Sequence, residues 1–451
     1  MMDWKKLLSH KRLGKESDNL LNEPSGRTAF QQDFDRIVFS SAFRRLQSKT
    51  QVFPLPKSSY VRNRLTHSLE TASVGRSLGN LAGIFVLEKY PELNSDYSFS
   101  DFGAIVSAAC LAHDIGNPPF GHSGEDAISN YFKENDSEKY ISALTVSQKA
   151  DLQNFEGNAA GFRIISNTPV AQSDFNGGLG LTYSTYATFV KYPKGSFPNM
   201  KDKKISSLKK FSFFDSEKKV FEKIAREIEL KEIEINSHRF YVRHPLAFLV
   251  EAADDICYTI IDYEDGYQEG LISFDEVENA YKEILKGTFS ENNYNKIFTK
   301  ISKINYLRSK VISKLINETI DVFKDSETGI LDGKFERSLL DEIPSANNIN
   351  EIKKDSFFRI YSSDPVLKIE AAGYRVLPQL LNIFIDAVFN PEKEQNRRLI
   401  KLIPDIYLGK NRAVFEDDYD KLLNVTMYIS GMTDKHAVEL YRQLNGISIG
   451  D

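Results

Sequence analysis

Residues 110–125 read CLAHDIGNPPFGHSGE, and the order of residue types in this stretch constrains the fold. An apolar lead-in ends in adjacent His113 and Asp114, breaks at Pro118 and Pro119, and resumes with His122 three residues before Glu125. A core helix gains nothing from an imidazole and a carboxylate at its end, because burying either costs free energy unless it is paired. A surface loop gains nothing from the apolar lead-in. The combination predicts a buried helix over DFGAIVSAACLAHDIG (101–116) that delivers two polar side chains to an internal site. Ser100 and Asp101 are its candidate caps, and the Gly116–Pro119 run is its stop.

The same three- and four-residue apolar spacing extends outward from that helix. It fills HSLETASVGRSLGNLAGIFVLEKY (67–90), with Pro91 just beyond. It fills HPLAFLVEAADDICYTIIDYEDG (244–266), with Pro245 in the first turn and Gly266 as a stop. Further helical patterns occupy 274–287, 292–324, 375–389, 393–403, 417–429 and 434–444. Strand signals are few: QVFPL (51–55) and TYSTYATFVKYP (182–193). The expected fold class is all-α with at most a small β-hairpin, and no internal repeat or low-complexity linker divides the chain.

At 451 residues with 41% hydrophobic side chains, the chain can bury a sizeable core. A formal net charge of -5 argues against obligatory whole-surface binding to DNA or membrane. Cys110 and Cys257 lie among small apolar neighbours and read as buried thiols in a reducing compartment. The N-terminal MMDWKKLLSHKRLGKES lacks the apolar segment of a secretion signal, and GAIVSAACLA is too short to span a bilayer. A soluble, cytoplasmic protein is expected. The least regular part, 173–215, carries seven lysines between Lys191 and Lys210. It reads either as a solvated insertion or as a phosphate-facing segment.

A divalent metal needs several convergent nitrogen and oxygen ligands, and His113 and Asp114 supply two. His67, in NRLTHSLE, follows Arg64 by three residues, which puts a ligand and an anion clamp on one helical face. In EAADDICYTIID, Asp254, Tyr258 and Asp262 recur at four-residue steps on an otherwise apolar helix. A carboxylate among Ala252, Ala253, Ile256 and Cys257 requires a compensating cation, so Asp254 is favoured as the fourth ligand, with Asp255 left as a salt-bridge partner. Past the proline break, His122 and Glu125 have the spacing of an imidazole oriented by a carboxylate, the arrangement of an acid/base pair; a plain helix cap is the alternative.

These residues carry a resemblance. The pattern H…HD…D resembles the HD hydrolase superfamily, and the chain is similar to its deoxynucleoside triphosphate triphosphohydrolase (dGTPase) branch. The similarity runs through FDRIVFSSAFRRLQSKTQVFP (34–54), NRLTHSLE, HDIGNPPFGHSGE, NFEGNAAGFRI (154–164), TFVKYP (188–193), RHPLAFLVEAADDICYTIID (243–262) and YISGMTD (428–434). It implies a single mainly helical unit over 1–451, with an HD core at 60–270 and a C-terminal helical part at 271–451. It implies one divalent metal per subunit (Mg²⁺, Mn²⁺ or another transition metal) on His67, His113, Asp114 and Asp254, with His122 as catalytic acid/base and Glu125 orienting it. Gln51, Arg64, Lys191, Tyr192, Tyr258 and Asp262 fall on substrate-contacting positions.

The implied reaction is hydrolysis of dGTP or another dNTP to deoxynucleoside and intact triphosphate, by water attack at the α-phosphorus. The implied assembly is a homohexamer, and single-stranded DNA or an allosteric nucleotide are further partners that the lysine-rich segment suits. Two rival readings remain at this stage: an HD phosphohydrolase acting on another nucleotide phosphate ester, and a non-catalytic nucleotide or DNA sensor on the same scaffold.

Overall fold

The structure, a computed structural model, describes residues 1–15, 26–53, 61–167, 177–199, 205–235 and 238–447. Its centre is a pair of helices, Arg64–Lys89 and Phe99–Ala112, packed along their lengths. Small residues on the first helix make this possible. A Cβ on Gly79 would lie 2.7 Å from the Phe102 carbonyl oxygen and 2.8 Å from the Gly103 Cα, so the two backbones meet almost directly. The first helix starts at Arg64, three residues earlier than the apolar pattern suggests, because Asn63 caps it: the Asn63 side chain accepts from the Thr66 N–H and Thr66 reciprocates. The second starts at Ser98, whose N–H donates to Asp101 Oδ2 at 2.9 Å; Asp101 is therefore the partner of the cap, and Ser100 is not the cap itself.

The helix Ala247–Gln268 crosses this pair. Pro245 lies before its first turn, and Gly266 does not end it. Gly266 instead sits beneath Ile360, whose Cδ1 would be 2.7 Å from an added Cβ. The pattern at 292–324 resolves into two helices, Glu291–Asn295 and Lys300–Leu331, the second capped by Thr299. The remaining C-terminal patterns match the helices Phe274–Leu285, Glu394–Ile400, Asp418–Ser430 and Asp434–Leu444; the pattern at 375–389 belongs to a longer helix, Asp364–Phe389.

Both strand expectations fail. Residues 183–189 of TYSTYATFVKYP form a helix, Tyr183–Phe189, started by Thr182 accepting from the Thr185 N–H. Every residue of that helix is buried, so its β-branched and aromatic side chains serve an all-round core contact and not a pleated face. Residues 51–53 form bends, with Thr50 bridging Asn63 in isolation; residues 54 and 55 of QVFPL lie outside the described residues. The hairpin that does form pairs Glu232–Ile235 with His238–Tyr241, Ile233 opposite Phe240. The fold is otherwise helical, as its class predicts.

Two hydrophobic clusters fill the interior. One gathers Leu78, Ile105, Val106, Ile256 and Ile260; the other gathers Ile128, Phe132, Leu377, Phe384 and Leu422. The helix Gly121–Tyr131, which carries His122, packs against Asp364–Phe389 in the second cluster. Cys110 and Cys257 are buried and unbridged. Among the described residues, no helix is long and apolar enough to cross a membrane.

Candidate metal centre and nucleotide cavity

Three helices converge on one carboxylate. His67 lies one turn into Arg64–Lys89, His113 follows the last residue of Phe99–Ala112, and Asp254 lies in the second turn of Ala247–Gln268. His67 Nε2 and His113 Nε2 each stand 3.3 Å from Asp254 Oδ1. The His113 Nδ1–H donates to the Cys110 carbonyl at 2.6 Å, and since a carbonyl only accepts, the ring presents the Nε2 lone pair to the site. Two acceptors facing each other at 3.3 Å call for positive charge between them, a cation or a ring proton. The ligand atoms of His67, His113 and Asp254 all lie within 4.8 Å of one another. Among the described residues no second cluster of this kind occurs.

Asp114 borders the same centre. Its Oδ1 accepts from Arg64 Nη1 at 2.9 Å and from Asn117 Nδ2 at 2.5 Å, and it lies 3.6 Å from His113 Nε2. Its Oδ2 is buried with no hydrogen-bond partner, an orphaned acceptor of the kind a cation satisfies. This donor set of two imidazoles and two carboxylates fits a divalent metal.

The electrostatics favour ionised carboxylates. Burial alone would raise the Asp254 carboxyl, but Lys191, with Nζ 2.7 Å from Oδ2, and then His113 hold it well below the usual range. Burial likewise opposes ionisation of Asp114, yet Arg64 followed by His113 and His67 brings it down to about 2. For His113, burial works against charge while Asp114 and Asp254 raise the imidazole above its ordinary value.

A cavity of about 570 Å³ opens over this centre, lined by Gln51, Arg64, His67, Asp114, Asn117, Phe120, His122, Asp254, Tyr258 and Tyr361 among others. That volume suits a nucleotide-sized ligand. The Gln51 side-chain oxygen is buried and unpartnered. Tyr258 stacks on Tyr361 with ring centroids 5.4 Å apart, and the Tyr361 hydroxyl donates to Asp262 Oδ2 at 3.0 Å. Asp262 thus meets the cavity through Tyr361 and does not line it. Lys191 and Tyr192 are not among the lining residues either: Lys191 pairs with Asp254, and the Tyr192 ring lies beneath the Arg243 guanidinium at 5.7 Å.

His122 stands at the rim with its ring 81% exposed. Its Nδ1 is 4.0 Å from Glu125 Oε2, beyond hydrogen-bond length, and Glu125 Oε1 accepts from the Gly157 N–H at 2.7 Å. Lys210 donates to Glu156 Oε1 at 2.8 Å and approaches Glu125 Oε2 at 3.7 Å. From the lysine-rich segment, Lys191 and Lys210 therefore turn inward to carboxylates; Lys201, Lys203 and Lys204 lie outside the described residues. Asp255 points aside to Lys353 at 3.4 Å.

Tyr361, Asn117 and Phe120 were not singled out by the sequence. Asn117 and Phe120 sit inside the opening motif, where Asn117 reads only as part of the helix stop and Phe120 carries no signal of its own. Tyr361 lies 99 residues beyond Asp262, and no local pattern announces the contact.

The HD domain family model matches residues 64–167, which span His67, His113, Asp114, His122 and Glu125. The chain is 42% identical to a deoxyguanosinetriphosphate triphosphohydrolase-like protein of Synechocystis sp., over 99% of this chain and 100% of that one. It is 38% identical to a protein of the same description from Pseudomonas aeruginosa, over 99% of each. It is 28% identical to a deoxyguanosinetriphosphate triphosphohydrolase of Yersinia enterocolitica, over 98% of this chain and 99% of that one.

Proposed function

The chain belongs to the deoxyguanosinetriphosphate triphosphohydrolase-like family of HD-domain phosphohydrolases, and from that premise we propose that it hydrolyses dGTP, or a related dNTP, to the deoxynucleoside and inorganic triphosphate. The observation that carries the reading is the meeting of His67, His113 and Asp254 beneath a nucleotide-sized cavity with Arg64 on its wall and His122 at its rim.

His67, His113, Asp114 and Asp254 would hold the cation, which when bound supplies charge neutralisation at an α-phosphate oxygen and acidifies a water. Arg64, now on Asp114 at 2.9 Å, is within reach of a phosphate oxygen and offers a planar fork for it. Lys191 adds positive charge behind Asp254, on its Oδ2. The stacked Tyr258 and Tyr361 form a flat wall suited to a deoxyribose, and the Tyr361–Asp262 hydrogen bond fixes that wall in place.

In the proposed step, the water oxygen bonds to the α-phosphorus as the bond from that phosphorus to the sugar 5′ oxygen breaks. A proton ends on the departing 5′ oxygen, and the triphosphate leaves intact. His122 moves that proton, and Glu125 stands behind its ring.

The test is incubation of the protein with each of four dNTPs and four NTPs in Mg²⁺ or Mn²⁺, with products resolved by ion-exchange chromatography. Equal amounts of deoxynucleoside and triphosphate are expected. Orthophosphate, or pyrophosphate with a monophosphate, would overturn the reading.

A further inference from the structure

The motif YISGMTD (428–434) lies at the far end of the chain from the metal ligands, yet its last residue reaches the cavity wall. Asp434 is the first residue of the helix Asp434–Leu444. Its Oδ2 accepts from the Thr50 N–H at 2.8 Å, and its Oδ1 accepts from the Phe120 N–H at 3.0 Å. One carboxylate therefore joins the residue before Gln51 to the residue two before His122. Four residues upstream, the Ser430 carbonyl accepts from Lys49 Nζ at 3.0 Å, and the same ammonium donates to the Asn117 carbonyl. Lys49 is only 3% exposed. Asn117 in turn holds Asp114 through its side chain.

We propose that Asp434 and Lys49 form a clasp that positions the two sides of the cavity, the Thr50–Gln51 segment and the Asn117–His122 turn, relative to each other.

The backbone at the clasp supports this role. Phe120 has φ 66°, in the left-handed region that a bulky side chain avoids, and Gly121 follows at φ 59°. A non-glycine residue keeps such a conformation only where its surroundings over-determine it. The Asp434 carboxylate supplies that constraint with a charge-assisted hydrogen bond to the Phe120 N–H. The conformation matters because Phe120 lines the cavity and sets the start of the helix that carries His122. On the other side, the Lys49 carbonyl accepts from the Arg64 N–H at 3.2 Å, which ties the clasp to the helix bearing Arg64 and His67. Lys49 carries its ammonium into a buried place where it donates to the Asn117 and Ser430 carbonyls, with Asp434 as the countercharge. Burial brings it down to about 7 while Asp434 acts in the opposite direction. Neither residue touches the reacting atoms, so both are positioning residues.

The test uses the full chain with three substitutions. Asp434→Ala removes both acceptors, and Asp434→Asn keeps the shape but turns an N–H donor toward one of the two amides. Thr433→Ala removes the helix cap oxygen, which accepts from the His436 N–H, and leaves the carboxylate. Hydrogen exchange is followed by mass spectrometry in peptides covering Thr50 and Phe120, alongside Mn²⁺ stoichiometry and kcat on dGTP. Loss of a hydrogen bond to a charged group should speed exchange of both amides by about tenfold or more in Asp434→Ala, with Asp434→Asn intermediate. Turnover should fall by about tenfold to a hundredfold with metal stoichiometry unchanged, and Thr433→Ala should leave the two peptides as in wild type.

Unaltered exchange in Asp434→Ala, or an equal effect from Thr433→Ala, would overturn the clasp. If Asp434→Ala does not fold, Asp434→Asn decides. The kinetic arm rests on the triphosphohydrolase reading and the exchange arm does not. A wild-type protein that releases no triphosphate sinks that reading and leaves exchange to judge the clasp.

Discussion

The Lys191 ammonium stands 2.7 Å from Asp254 Oδ2, on the opposite oxygen from the one that faces His67 and His113. The carboxylate is thus shared between a fixed cation and the metal centre. At such distances two positive charges repel by a few kcal/mol at an effective dielectric of about 20. Lys191→Met is expected to raise Mn²⁺ affinity several-fold while raising KM for the nucleotide. Titration by electron paramagnetic resonance with steady-state kinetics checks both; weaker Mn²⁺ binding would show that Lys191 acts mainly by orienting Asp254.

Removing a ligand has the opposite consequence. His113→Ala and Asp254→Asn are each expected to lose metal and turnover together, read by elemental analysis of dialysed protein. Full metal content in either variant would remove these residues from the ligand set.

His122 lies at the rim, outside the ligand cluster. His122→Ala should bind metal at wild-type stoichiometry and lower kcat by about two to four orders of magnitude, the usual worth of a positioned acid/base. A drop of less than tenfold would assign the proton transfer elsewhere.

Gly79 sets the spacing between the helices that carry His67 and His113. Gly79→Ala places a methyl against the Phe102–Gly103 backbone, which cannot rotate out of the way. Overpacking of this kind costs about 1–3 kcal/mol. The melting temperature should fall, and Mn²⁺ affinity should fall with it because the two imidazoles are driven apart. A loss of stability with unchanged affinity would show that the helices yield elsewhere.

His244 supplies one part of the pH dependence. Its ring is buried, donates from Nε2 to the Leu7 carbonyl at 3.2 Å, and receives the Leu246 N–H at Nδ1. Burial brings it down to about 4 from an ordinary 6.5. The unfolded chain therefore binds the extra proton first as the pH falls. The stability contribution is complete above about pH 6.5 and is lost progressively toward pH 4, by at most about 1.4 kcal/mol per pH unit. His244→Asn should flatten the melting temperature across that window relative to wild type; an unchanged slope would exclude His244 as its source.

How much of this was legible depended on whether the signal was local. The helices carrying His67, His113 and Asp254 announced themselves because a 3.6-residue period is written in consecutive residues. The preference for Asp254 over Asp255 followed from the same period, and the two do diverge, one toward the histidines and the other toward Lys353. Strands were misread for the same reason. The segment 182–193 has β-forming residue types, but total burial of 183–189 and the Thr182 cap make that part helical. The strands that pair, Glu232–Ile235 and His238–Tyr241, are short, and the first alternates only between exposed and half-exposed positions, so no buried face marks it. The contacts of Asp434 with Thr50, of Lys49 with Ser430 and of Tyr361 with Asp262 left no trace, because each joins residues far apart in sequence and uses backbone groups or single side chains.

The reach of Asp434 across to Thr50 also bears on how the protein is made. A nascent chain that has been synthesised only as far as Gly431 already holds every proposed metal ligand, but the cavity wall has not yet been drawn together. Competence for nucleotide chemistry would then wait until Asp434 has been added and has docked, and a polypeptide cut short at Gly431 would keep its ion without its grip on the nucleotide.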